Sequence, residues 1–94
     1  MILNDFEIVS LYHARNEQAV EITQKQYGAY CHTVSMNILN SPPDAGECVN
    51  DTWVAAWNTM PPKWPRNLCG YLGKLTRNIS LNRLKALRRE KRDT

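Results

Sequence analysis

Apolar residues recur along this chain at intervals of three and four, the spacing of helices that bury one face. Phe6, Ile8, Val9, Leu11 and Tyr12 keep that spacing over 5–14, with Asn4 or Asp5 available as N-cap. After a break at Arg15-Asn16, the residues Val20, Thr23, Tyr27, Tyr30, Cys31, Val34 and Ile38 predict a second helix over 17–39. Gly28 inside it costs about 1 kcal/mol against Ala without ending it. Ser41-Pro42-Pro43-Asp44 reads as a helix start: Ser is a good N-cap, Pro suits the first helical position, and Asp at the third can close a capping box. The third helix, 42–58, then buries Ala45, Cys48, Val49, Thr52, Trp53, Ala56 and Trp57 and turns Glu47, Asn50, Asp51, Val54 and Asn58 the other way. Three prolines within 59–66 forbid regular helix and predict a stiff extended loop, in which an exposed Trp64 would be notable. A last helix, 67–91, takes Leu68, Leu72, Leu75 and Ile79 as its core stripe, with Gly70 and Gly73 as weak points. Lys74, Arg77, Leu81, Lys85 and Arg88 follow one another along a different face as a basic ridge. The pattern predicts an all-α fold, a compact bundle of about four helices without strands.

Size and composition narrow the function. Ninety-four residues make one domain, too short for a two-domain enzyme, and 43% hydrophobic with 22% charged residues argues against global disorder. The net charge of +3 conceals an asymmetry. Met1 to Trp57 holds two bases and seven acids, a balance of −5, whereas Asn58 to Thr94 holds ten bases and two acids, a balance of +8. Such a division points to two different partners, one of them polyanionic. Cys31, Cys48 and Cys69 are odd in number, widely spaced and set among apolar residues. They support neither a disulfide scaffold nor a zinc module, and suit a reduced, cytoplasmic protein. No apolar run is long enough for a membrane span, and Asn4, Asp5 and Glu7 stand where a signal peptide would carry bases.

No catalytic constellation stands out, so the chain is expected not to be an enzyme and to need no cofactor or metal. His13 and His32 lie on different predicted helices without a nucleophile beside them and are read as structural. The acids lack the apolar pockets that raise carboxylate pKa values, and there is no Gly-rich phosphate loop. The positive signal is for nucleic acid: a basic helix supplies phosphate contacts, and the loop before it offers Trp64, Arg66 and Asn67 to unpaired bases. The competing reading is a solvated C-terminal helix whose bases suit the helix dipole. Trp53 and Trp57 fall in the third helix's stripe and are read as core, Trp57 shared with a partner.

Asp44-Ala-Gly-Glu-Cys-Val-Asn-Asp-Thr-Trp-Val-Ala-Ala-Trp57, a Pro-rich loop, and Gly70-Tyr-Leu-Gly-Lys-Leu-Thr-Arg-Asn-Ile-Ser-Leu-Asn-Arg-Leu-Lys85 follow in that order. Together they resemble region 2 of bacterial RNA polymerase sigma factors of the extracytoplasmic-function group, over nearly the whole chain. The resemblance implies that the exposed face of the third helix, Glu47, Asn50, Asp51, Val54 and Trp57, binds the β′ clamp helices of the RNA polymerase core. It implies that Met60 to Asn67, including Lys63, Trp64, Arg66 and Asn67, hold a base flipped from the promoter minus-ten element. Lys74, Arg77, Asn78, Leu81, Lys85 and Arg88 would lie along the non-template strand, with Asn78 read equally as a buried amide. The family also implies an anti-sigma factor as a candidate partner, and no membrane. Two positions depart from the family pattern: Gly46 stands where an acid is usual and Asn82 where Asp is usual. The 94 residues hold no region 4, the part that reads the minus-thirty-five element in family members. The readings set against this one are a clamp decoy or anti-sigma target that reads no DNA, and a generic helical RNA-binding domain.

Overall fold

Helix starts and reversals set the frame. In the computed structural model, which describes residues 3–92, Asn4 caps the first helix. Its Oδ1 accepts the Glu7 N–H at 2.8 Å and the Glu7 carboxylate accepts the Asn4 N–H at 3.0 Å, a complete capping box. The box expected at Ser41 does not form. Ser41 is the N-cap of the third helix, but its hydroxyl donates to the Asp44 carboxylate at 2.9 Å, which Arg83 also holds. That helix start rests on Pro42 instead. The four helices are α1 Asp5–His13, α2 Gln18–Leu39, α3 Pro42–Thr59 and α4 Leu68–Arg92, and no strand occurs among the described residues. Asn40 closes α2 in the left-handed conformation, with φ of 50° and its N–H on the Met36 carbonyl, a role Asn fills readily.

α2, α3 and α4 pack against one another, and α1 lies on α2 at one end of the bundle. The 25-residue α4 is about 37 Å long and runs through a molecule measuring 47 × 24 × 20 Å. Ile8, Val9 and Tyr12 of α1, Trp53 and Ala56 of α3, Met60, and Leu68 and Leu72 of α4 form the main apolar cluster. The α3 stripe matches its expected residues, with Trp57 only partly buried.

Three stripes differ from the pattern reading. Phe6 is 66% exposed and takes no part in the core. In α2 the buried line is Ala19, Thr23, Cys31, Ser35 and Leu39, stepping by fours, while Tyr30 is 43% exposed and Val34 and Ile38 are half-buried. In α4 the line is Leu68, Leu72, Thr76 and Ser80, flanked by half-buried Leu75 and Ile79. The cause is the same in both helices: small side chains let three helices approach closely, and their hydroxyls pair across the gap. Ser35 meets Ser80 at 2.7 Å, Thr52 meets Thr76 at 3.0 Å, and the Tyr12 hydroxyl donates to Thr23 at 2.8 Å. Among the described residues no buried side-chain nitrogen or oxygen lacks a partner, which is what lets a hydroxyl-rich core persist.

Gly73 is a point of close approach between α2 and α4. It is buried beneath Tyr30, and a Cβ there would come within 2.7 Å of the Tyr30 hydroxyl and 3.0 Å of its ring.

Candidate functional site

The outer face of α3 carries Glu47, Asn50, Asp51 and Val54, all exposed, with Val54 at 59% despite its apolar side chain. Val54 borders a shallow groove between α2 and α3 that is also lined by Glu17, Val20, Gln24, Asn50, Trp53 and Trp57. The face combines an acidic rim with an apolar floor, a composition suited to a basic, partly apolar partner. Two of the expected docking residues are already engaged within the chain. Arg83 of α4 bonds Asp44 at 2.9 Å and Glu47 at 2.7 Å, so part of the acidic charge is neutralised in place. This pairing holds the Asp44 carboxyl below its ordinary pKa, Arg83 being the main cause and the Ser41 hydroxyl the second. Trp57 lies under the Arg15 guanidinium, 3.7 Å from the ring centroid, and against Tyr12 at 6.2 Å. It also lines the groove, with Arg15 over its ring.

Arg15 does more than cover Trp57. With φ of 56° it turns the chain from α1 into α2, and its guanidinium donates to the Trp57 and Met60 carbonyls at 2.9 and 3.0 Å. A cation thereby closes the C-terminus of α3, where the helix dipole favours one.

At the other end of the site, Asp5 joins three helices. Its carboxylate accepts the Leu68 N–H at 3.0 Å, at the start of α4, and the Tyr27 hydroxyl of α2. Burial and then the Asp5 contact push the Tyr27 phenol up to about 12. Asn67 adds a second cap, its Oδ1 accepting the Gly70 N–H at 3.0 Å. That acceptor is therefore committed to the helix start, although the residue is exposed.

Within the Pro-rich loop Lys63 and Arg66 are exposed and Trp64 is 43% exposed, while Met60 is wholly buried and anchors the loop. His13 bonds the Lys63 carbonyl through Nε2 at 2.9 Å and its ring lies against Trp64, tilted by 40°. Along α4, Lys74, Arg77, Asn78, Lys85 and Arg88 are exposed and Leu81 is half-buried. Exposure removes the reading of Asn78 as a buried amide. At 100° per residue these six positions fall within an arc of roughly 100° and extend over about 21 Å, directly opposite the line of Leu68, Leu72, Thr76 and Ser80. Among the described residues no carboxylate pairs with Lys74, Arg77, Lys85 or Arg88. The ridge is a stripe of uncompensated positive charge facing away from the core, able to follow a phosphate backbone.

The rest of the molecule offers little chemistry of other kinds. Burial raises the Cys31 and Cys48 thiols, which disfavours thiolate. No cluster of three His, Cys, Asp or Glu among the described residues could hold a metal ion, and no described helix is long and apolar enough to cross a membrane. Sequence pattern alone missed Arg15, Asp5 and Arg83. Each has a partner 36 or more positions away; Asp5 and Arg15 could have been noticed as charged residues next to a helix end, whereas Arg83 lies inside α4 and gave no such signal. Compared with known proteins, the chain matches no family model, no curated protein and no solved structure.

Proposed function

We propose that this chain is a cytoplasmic, non-enzymatic promoter-recognition module of the sigma factor region 2 type. In this reading the α3 face docks on the clamp helices of RNA polymerase, through Asn50, Asp51, Val54 and Trp57, with Glu47 contributing beside Arg83. The loop and α4 hold the melted non-template strand of the minus-ten element. The observation that carries the reading is the α4 stripe: Lys74, Arg77, Lys85 and Arg88 are exposed together, without carboxylate partners among the described residues, on a helix whose opposite line is fully buried. The sequence resemblance supports it, as does the separation of an acidic face on α3 from a basic one on α4. Strand opening needs no nucleotide hydrolysis here. Unstacking a base costs a few kcal/mol, and stacking or hydrogen bonding in the protein recovers it.

The test is binding of a labelled minus-ten non-template strand, followed by anisotropy over a range of salt concentrations. Affinity should fall as salt rises, with a log–log slope near −0.7 for each phosphate neutralised on a single strand. R77E should weaken strand binding while leaving clamp binding intact, and D51K should do the reverse. Loss of promoter-dependent activity in R77E with clamp binding retained excludes the decoy reading. Salt-independent strand binding, or equal binding of arbitrary RNA, overturns the proposal.

A further inference from the structure

Tyr30 is the tyrosine that the fold leaves uncommitted. The hydroxyls of Tyr12, Tyr27 and Tyr71 donate to Thr23, Asp5 and Thr59. The Tyr30 hydroxyl has no partner among the described residues, and the side chain is exposed on the outer side of α2. It is nevertheless held in one place. The hydroxyl end of the ring lies over Gly73 of α4, where a Cβ would meet the oxygen at 2.7 Å and ring carbons at 3.0 and 3.2 Å. A glycine inside a helix costs about 1 kcal/mol against Ala, so the close approach of this ring is not what helix propensity favours.

The position over Gly73 sets Tyr30 beside the basic ridge. At 100° per residue, Gly73 and Arg77 stand about 40° apart around α4 and one turn apart along it. Gly70, one turn the other way, is exposed and has no side chain to cover the ring. α2 and α4 run in the same direction, since Tyr30 meets Gly73 and Ser35 meets Ser80. Asn37, seven positions after Tyr30 and on the same side of α2, is also exposed and follows the ridge farther along. From Ile22 to Leu39 α2 holds no carboxylate. The seam between the two helices therefore has a cationic wall from α4 and an uncharged wall from α2 bearing a phenol, with no α2 acid beside it to repel a polyanion. A phenol stacks on a base whatever its identity, and a guanidinium one helical turn away suits the phosphate of the same nucleotide.

We propose that Tyr30 contacts one nucleotide of the bound single strand, its ring against the base, with Arg77 on the phosphate, so that α2 forms the second wall of the strand-binding face. The inference rests on the strand-binding reading above, which draws its contacts from the loop and α4 alone. This nucleotide lies at the seam of α2 and α4 and is separate from any base held by the loop.

The experiment uses the whole 94-residue chain and a labelled single-stranded DNA of about 12 nucleotides, within the range of single-strand site sizes. A single 5-iodouracil is moved along the strand, and after irradiation the cross-linked peptide is identified by mass spectrometry. In the wild type, one position should cross-link to Tyr30. Y30L should remove that cross-link and weaken binding about 10-fold, within the range of about 5- to 150-fold that stacking of one base supplies. The salt slope should be unchanged in Y30L, because no charge is lost. Y30F, which keeps the ring and removes a hydroxyl that has no partner in the chain, should retain the affinity and the cross-link. Circular dichroism checks that Y30L is folded, and the cross-link in the wild type needs no variant. If no position cross-links to Tyr30, or if Y30L binds the strand as the wild type does, the contact is overturned. K85E separates the two levels of the argument. Weaker binding and a shallower salt slope in K85E keep the strand-binding reading where the Tyr30 contact fails, whereas strand binding that does not depend on salt removes that reading and the Tyr30 contact with it.

Discussion

The buried pair Tyr12–Thr23 yields an asymmetric prediction. Both residues are fully buried, and the Tyr12 hydroxyl donates to Thr23 Oγ1 at 2.8 Å while that oxygen donates onward to the Ala19 carbonyl at 2.7 Å. In T23V the shape is kept and no cavity opens, but the Tyr12 hydroxyl loses its acceptor in a place water does not reach. An unsatisfied buried donor costs about 1–3 kcal/mol. Y12F removes the donor itself and leaves the Thr23 hydroxyl on its own helix carbonyl, so its cost should be about 0.5–1.5 kcal/mol. In the double variant neither penalty has a source, and the combined loss should fall short of the sum by about 1 kcal/mol or more. Urea unfolding followed by far-ultraviolet circular dichroism measures all four proteins. With a slope of about 1 kcal/mol per molar urea, T23V should lower the midpoint by about 2 M at unchanged slope. Additive losses, or a T23V midpoint equal to that of the wild type, would refute the claim that this core depends on paired hydroxyls.

Three further outcomes follow from the geometry. G73A must displace Tyr30, so it should change the stability of a Y30A background more favourably than that of the wild type, towards the gain of up to about 1 kcal/mol that helix propensity supplies, a difference visible in thermal unfolding. Tyr27 has a folded pKa raised to about 12, so its contribution is complete below the ordinary phenol pKa and is lost as pH climbs towards 12; phenolate absorbance should show a late-titrating group that Y27F removes. Asp44 has a lowered folded pKa, so the α3–α4 bridge through Arg83 holds above the ordinary carboxyl pKa and fails as pH falls through the depressed value. R83L should flatten that acid limb of the stability profile, and an unchanged limb would contradict the pairing.

Helix number, order and limits were legible in the sequence to within about a residue at each end, because prolines, caps and apolar periodicity act locally. The α3 stripe was legible for the same reason, its residues recurring at three and four with Glu47, Asn50 and Asp51 marking the opposite face. The α2 stripe was not. Tyr30, Val34 and Ile38 outrank Ala19, Ser35 and Thr23 in hydrophobicity, but the space between three close helices selects by size, and the hydroxyls find partners on other helices. Phe6 misled for a related reason: it lies on the apolar side of α1 by spacing, yet meets the loop's Trp64 and not the core. Of the candidate site, the exposed ridge on α4 could be read from spacing alone. The Arg83 bridge that reduces the acidic face, and the Arg15 cover on Trp57, depend on packing across 36 to 42 positions of sequence and leave no local trace.

The buried serines and threonines among the described residues, Thr23, Ser35, Thr52, Thr76 and Ser80, also bear on how this domain responds to temperature. Unfolding exposes apolar surface, which raises heat capacity, and polar surface, which lowers it. A chain of this length with an aliphatic core would gain about 1.1–1.4 kcal/mol/K on unfolding. Replacing part of that core with hydroxyls draws the increment down and flattens the curve of stability against temperature. Cooling then removes less of the driving force than it would from a core of leucine and isoleucine, so the bundle keeps a more even stability as temperature changes.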